Sequence, residues 1–193
     1  LTASDAAAGD RFGISVAIDG GTVVVGAYVK VGATSGADGA VYVFRTTDGG
    51  ATYVQVAKLT ASDVAASDYY LISGFSIPTR DDRFGFSVAI AGDTIVAGAY
   101  QDSEVEGDSY SLESGSAYVF LTTDGGATYG QVAKLTAADA VASDKFGSSV
   151  ATDGQKVVVA TQTQNSAYVF ALPASSPAPT VAPTAWPLHA ETD

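Results

Sequence analysis

Asp10-Arg11-Phe12-Gly13-Ile14-Ser15-Val16-Ala17-Ile18-Asp19-Gly20-Gly21-Thr22-Val23-Val24-Val25-Gly26-Ala27 decides the fold. Two short runs rich in β-branched residues flank Asp19-Gly20-Gly21, a turn sequence in which glycine supplies positive φ. The pattern returns from Phe84 to Ala99 and again from Phe146 to Ala160, each time opening on Phe-Gly-x-Ser-Val-Ala. A Tyr-Val-Phe strand follows each copy and ends at Phe44, Phe120 and Phe170. Thr46 to Tyr53 then recurs letter for letter at Thr122 to Tyr129, and Gln55 to Ala61 recurs at Gln131 to Ala137. Self-similarity in a fixed order predicts repeated supersecondary units, each too small to bury its own apolar face.

Working outward, the first unit predicts strands over Ser15–Ile18, Thr22–Ala27, Ala40–Phe44 and Tyr53–Leu59. The second predicts Ser87–Ile90, Thr94–Ala99, Ser116–Phe120 and Tyr129–Leu135, and no stretch carries helical periodicity. Four antiparallel strands per unit, stacked by repetition, describe an all-β chain of β-propeller-type blades. Blade 1 covers 12–63, blade 2 covers 84–139, and a partial blade 3 covers 146–172 without a fourth strand. About three repeats leave the ring incomplete in one chain. Leu1 to Asp5 match Leu59 to Asp63, so 1–5 read as a strand that closes another blade or as the stub of an earlier one. Residues 173–193 form a Pro/Ser/Thr-rich tail, expected to be extended. Its Trp186 is a candidate anchor for a neighbouring subunit, and its hydroxyls are candidate O-glycan acceptors.

The formal charge is -12, with 9 basic and 21 acidic residues, so no basic patch is available for nucleic acid or an anionic membrane. Absence of cysteine excludes disulfides, thiolate catalysis and Cys-ligated zinc. No apolar stretch is long enough for membrane insertion. With no methionine in the sequence, Leu1 reads as a processed or excised end.

The Phe-Gly units quoted above resemble the FG-GAP repeat, the blade motif of the integrin α-subunit propeller and of many microbial surface proteins. The resemblance covers roughly residues 1–172. It implies an extracellular or cell-surface propeller used in adhesion, with a protein or glycan ligand. Calcium-binding members carry an Asp-rich loop between the first two strands. Here those loops are Asp19-Gly20-Gly21-Thr22, Ala91-Gly92-Asp93-Thr94 and Asp153-Gly154-Gln155-Lys156, too poor in oxygens for the family's usual site. Thr46-x-Asp48-x-Gly50-x-Thr52-Tyr53 and its copy also resemble the Asp-box of sialidase-type propellers, which implies a structural role for Asp48 and Asp124 in locking a hairpin.

One metal candidate stands out: Asp102, Glu104, Glu106 and Asp108, whose alternating carboxylates followed by Gly107 echo calcium-loop spacing. A solvated acidic loop is the plainer reading. Apart from this Ca2+ site no cofactor is expected. The single histidine, His189, lies in the tail, so a Ser-His-Asp relay inside the blades is impossible and no enzyme is expected. Arg11, Arg83 and Lys145 each precede Phe-Gly, which predicts ion pairs with Asp10, Asp82 or Asp144. Leu59 to Phe84 spans 25 residues against 11 in the other repeats, so 14 residues are inserted; around Tyr69 to Phe75 they read as a loop unusually rich in apolar residues, packing over its own blade. Expected partners are an extracellular protein or glycan ligand, and other copies of the chain or further blades of a longer one. A structural block of a filament or oligomer, assembled through blade edges and the Pro-rich tail, is the alternative to a recognition module, and a glycan-active enzyme a distant third.

Overall fold

Strand formation follows the β-branched runs closely. The computed structural model describes residues 1–30, 38–63, 69–72, 75–78, 82–102 and 114–172, and all regular structure among them is strand. The first sheet runs β1 (Val16–Asp19), β2 (Thr22–Ala27), β3 (Ala40–Arg45) and β4 (Val54–Leu59) in sequence order. A hairpin of β5 (Tyr69–Ile72) and β6 (Phe75–Pro78) comes next, in the insert that the sequence alone suggested was a loop. The second sheet comprises β7 (Ser87–Ala91), β8 (Thr94–Ala99), β9 (Ser116–Leu121) and β10 (Gly130–Leu135). The third holds β11 (Ser149–Thr152), β12 (Lys156–Ala160) and β13 (Ala167–Ala171). Every pairing within the sheets is antiparallel. The three sheets are propeller-type blades, and they do not close a ring.

Period-two alternation gives blade 2 two apolar faces. Val24, Val41 and Val43 of blade 1 face blade 2 and meet Val88, Ile90, Ile95, Ala97, Tyr118 and Phe120. From the other face of blade 2, Val96, Ala117 and Val119 meet Phe146, Val157 and Val159 of blade 3. Residues wedged between two sheets in this way are almost wholly buried; Phe84 and Phe146 are both 0 % exposed. Burying a phenylalanine fully stabilises by about 2–3 kcal/mol, so the Phe84 and Phe146 rings are energetic anchors, while Phe12 stays partly exposed. Each ring also packs against two aromatics of its own third strand: Phe12 on Tyr42 and Phe44, Phe84 on Tyr118 and Phe120, Phe146 on Tyr168 and Phe170.

Backbone contacts fix the stacking. Gly39 forms a parallel bridge to Phe84, and Gly115 forms one to Phe146. The Ser15 hydroxyl donates to the Gly85 carbonyl at 2.8 Å, and Ser87 donates to Gly147 at 2.8 Å. At the opposite end of the strands, the Gly92 amide donates to Asp19 Oδ2 at 2.6 Å, and Arg45 donates to the Gly125 carbonyl.

Leu1 to Asp5 make no strand. Instead Ala3 is buried in the blade 1 cluster with Val25, Tyr42 and Phe44. Their copy after β4 does the same one blade later, with Ala61 in the cluster of Phe84, Tyr118 and Phe120. Ala137, after β10, packs with Phe146. The Ser4 and Ser62 amides donate to the Gln55 and Gln131 side chains at 2.8 and 2.9 Å. The Leu-Thr-Ala motif is thus a docking segment that lies across a blade, and between blades it is the strap from one sheet to the next.

Candidate functional site

The two ends of the blades differ in construction. One carries the β1–β2 and β3–β4 turns. Thr46 Oγ1 donates to Asp48 Oδ1 at 2.6 Å and accepts the Gly50 amide at 2.9 Å, while the Thr52 amide reaches Asp48 Oδ1 at 2.9 Å. Asp124 repeats this: the Thr122 hydroxyl and the Thr128 amide and hydroxyl donate to it, with the Gly126 amide on Thr122 Oγ1 at 2.8 Å. Hydrogen bonds from Thr46 and Thr52 hold the Asp48 carboxyl well below the usual range, and those from Thr128 and Thr122 do so for Asp124. These carboxylates are consumed by their own turns, the role that the Asp-box resemblance implies.

The other end carries the β2–β3 connections and the crossings between blades. Their lengths diverge: β2 to β3 spans residues 28–39 in repeat 1, 100–115 in repeat 2 and 161–166 in repeat 3. The β5–β6 hairpin belongs to a crossing on this end as well. Beside these connections runs a ladder of rings and cations across all three repeats. Tyr28 meets Phe86 edge-on at 5.6 Å, and Phe86 meets Tyr100 at 4.3 Å. The Arg83 guanidinium sits 5.3 Å from the Tyr28 ring and 5.6 Å from Tyr100, and donates to the Tyr100 hydroxyl at 2.8 Å. Lys145 of repeat 3 approaches the far side of the ladder, 5.9 Å from the Tyr100 ring. Tyr28, Arg83, Phe86 and Lys145 all stay partly exposed, so rings and charges are presented to solvent.

Arg83 therefore does not serve the expected ion pair with its neighbouring aspartate. Its guanidinium is taken by the Tyr28 and Tyr100 rings and the Tyr100 hydroxyl instead. Arg11, Arg83 and Lys145 share a left-handed conformation, at φ 59°, 58° and 55°. Asp10 takes Lys30 as its partner instead, at 2.9 Å, within a buried pair. In that pocket Lys30 also reaches the Asp5 carbonyl, Lys58 binds Asp5 Oδ2 at 2.7 Å, and the Tyr42 hydroxyl donates to Asp5 Oδ1 at 2.7 Å. Hydrogen bonds from Lys58 and Tyr42 lower the Asp5 carboxyl to about 2.

Repeat 2 places other chemistry in the equivalent pocket. Asp102 stands where Lys30 stood: both amides donate to the preceding Ala27 or Ala99 carbonyl, and both carbonyls accept from Gly39 or Gly115. Asp102 Oδ2 accepts from Tyr118 at 2.8 Å and from Lys134 at 2.8 Å, and Lys134 also binds Asp63. Asp82 shares this pocket with Asp102, Asp38 and Asp63. Burial first, then the Asp102 charge, pushes its carboxyl up to about 7. Of the four residues singled out as metal ligands, only Asp102 is among those described; Glu104, Glu106 and Asp108 lie outside them. Among the described residues no group of three or more acidic or histidine side chains is placed to hold a metal ion. His189 and Trp186 also fall outside the described residues.

Sequence reasoning passed over the aromatic ladder. One signal for it existed: Tyr28 and Tyr100 both follow a Gly-Ala pair, which repeat 3 lacks. Phe86, however, fills the variable position of Phe-Gly-x-Ser-Val-Ala, held by Ile14 and Ser148 elsewhere, and nothing in the motif marks it.

Comparison with known families matches the chain to the FG-GAP repeat over residues 1–44, 78–120 and 129–170. A search of curated proteins returned no match. Among the described residues no helix is long and apolar enough to cross a membrane.

Proposed function

The chain belongs to the FG-GAP repeat family, and from that premise we propose that it is an extracellular recognition module that binds a protein or glycan through one end of its blades. Members of this family are generally β-propeller-like modules of extracellular or cell-surface proteins, and typically not enzymes. The observation that carries the reading is the contrast between ends. The Asp48 and Asp124 end repeats the same locked turns, whereas the other end varies in connection length and displays the Tyr28–Arg83–Phe86–Tyr100 ladder. Diversity on a rigid scaffold is where binding surfaces concentrate. Partly exposed rings beside cations suit either the apolar face of a sugar or the aromatic and acidic groups of a protein.

Binding of the labelled chain to a glycan array and to immobilised extracellular-matrix proteins tests this. Tyr28→Ala with Phe86→Ala should weaken any captured ligand at least tenfold, while Thr122→Ala at the opposite end should leave it unchanged. A ligand lost only with the opposite-end substitution would overturn the assignment. Exposure of Val16 and Ile18, at 66 % and 65 %, favours the second reading, a structural block whose blade 1 face receives a blade of another chain.

A further inference from the structure

Blade stacking in this chain depends on two glycines of the earlier blade. Gly26 in β2 and Gly39 before β3 lie against the Phe84-Gly85 backbone. A Cβ on Gly26 would come closer than 3.0 Å to the Gly85 carbonyl oxygen, and one on Gly39 would come that close to Phe84. Gly98 and Gly115 hold the same positions against Gly147 and Phe146, with the same result. The nearest obstructing atom is a backbone oxygen in every case, with the Ser15 and Ser87 hydroxyls crowding the Gly26 and Gly98 positions as well, so no rotamer change relieves the clash.

Repeat 3 has side chains at both positions: Ala160 replaces Gly26 and Gly98, and Asn165 replaces Gly39 and Gly115. The register establishes the equivalence. Ala160 pairs with Ala167, as Gly26 pairs with Val41 and Gly98 with Ala117. The Gly147 amide donates to the Ala160 carbonyl, just as Gly13 and Gly85 donate to Gly26 and Gly98. Asn165 keeps the left-handed backbone of its counterparts, at φ 52° against 83° and 84°. Two Cβ atoms therefore occupy the space that the Phe-Gly backbone of a following blade would need.

The opposite face of the array is built differently. Phe12 and Gly13 are present, and Leu1 to Asp5 are docked as Leu59 to Asp63 are docked on blade 2. Val16 and Ile18 are 66 % and 65 % exposed, whereas Val88 and Ile90, covered by blade 1, are each 9 % exposed. This face has every element of an inter-blade contact except the earlier blade.

We infer that the array stacks at one face only: blade 1 fits an antiparallel blade bearing glycine at both the Gly26 and Gly39 positions, and blade 3 closes its own outer face to any such neighbour. Two copies of this chain consequently cannot join head to tail, because the blade 3 of one would have to cover the Phe12-Gly13 of the other. The inference stands on backbone geometry and is independent of the recognition function.

The test is the mass of the full chain by light scattering across a hundredfold concentration range. The unsubstituted chain should stay at 19.4 kDa. Ala160→Gly with Asn165→Gly should produce concentration-dependent association, and adding Val16→Asp and Ile18→Asp should abolish it. Association of the unsubstituted chain that the Val16 and Ile18 substitutions abolish would overturn the inference. A folded Ala160→Gly, Asn165→Gly variant that stays monomeric would overturn it as well. Should that variant fail to fold, Gly115→Asn decides the matter from within the chain. It should speed amide exchange in residues 146–151 at least tenfold by lifting blade 3 away from blade 2, and unchanged exchange there would refute the role given to these glycines.

Discussion

Asp10 of repeat 1 and Asp82 of repeat 2 occupy one place in the fold, and their surroundings have opposite electrostatics. Each backbone carbonyl accepts an amide from the following β2–β3 connection, Val29 for Asp10 and Gln101 for Asp82. Beside Asp10 the chain places Lys30, whose ammonium is held protonated chiefly by its hydrogen bond to Asp10. In the matching place beside Asp82 it puts Asp102. The first pocket is balanced, with Asp5 and Asp10 against Lys30 and Lys58. The second gathers Asp63, Asp82 and Asp102 around Lys134, and burial together with the Asp102 charge pushes the Asp82 carboxyl up to about 7. Identical backbone hydrogen bonds thus tolerate both arrangements, and the choice between them sets how each repeat responds to pH.

Making the first pocket resemble the second should have the largest effect. Lys30→Asp removes the buried partner of Asp10 and adds a like charge, and should lower stability by about 3 kcal/mol in urea unfolding at neutral pH. A loss below about 1 kcal/mol would mean the pair contributes little beyond its own desolvation.

A smaller effect should follow from pH alone. The Asp82 carboxyl titrates near 7 in the folded chain, against an ordinary value of 3.8, so the folded state holds a proton that the unfolded state releases. Its contribution is fully present below the ordinary carboxylate value and is lost as pH rises through about 7. Stability should therefore fall between pH 4 and 7, by no more than about 4 kcal/mol for a shift of this size. Asp82→Asn should flatten that decline and raise stability at pH 8 by about 1–3 kcal/mol. An unaltered pH profile in the variant would remove Asp82 as the cause. Below this window Asp10 acts in the opposite sense. Burial pushes its carboxyl up, but the Lys30 and Ala7 bonds outweigh that and lower it, so its contribution is lost as pH falls.

The smallest effect belongs to the exposed turns. Asp48→Ala should lower the melting temperature less than either preceding substitution lowers or raises it, and by the same amount at pH 5 and pH 8. Its carboxyl is ionised throughout that range, because Thr46 and Thr52 hold it down. A pH-dependent loss would show that Asp48 does more than lock its hairpin.

Much of this was legible without coordinates. The β2 and β8 limits, Thr22–Ala27 and Thr94–Ala99, coincide with the stretches expected from their β-branched runs, and most other strands shift by one residue at an end. The Asp48 and Asp124 hairpins were legible because donor and acceptor lie within four residues, so spacing alone places them. Three features were not. The insert reads as a loop, yet Tyr69–Ile72 pairs with Phe75–Pro78 in a hairpin. Arg83 sits beside Asp82 in sequence, yet its guanidinium lies against the rings of Tyr28 and Tyr100. Asp102 binds Tyr118 and Lys134, contacts that no spacing in the sequence marks.

The sequence by itself determined the repeat, its strands and its tight turns, because each depends on the φ/ψ preferences and hydrogen bonds of residues close along the chain. Only the tertiary structure decided what one blade asks of the next. That Gly26 must lack a Cβ depends on Gly85, and that Asp82 retains its proton depends on burial beside Asp102. Steric exclusion and charge interaction act through space, between groups that no local pattern links.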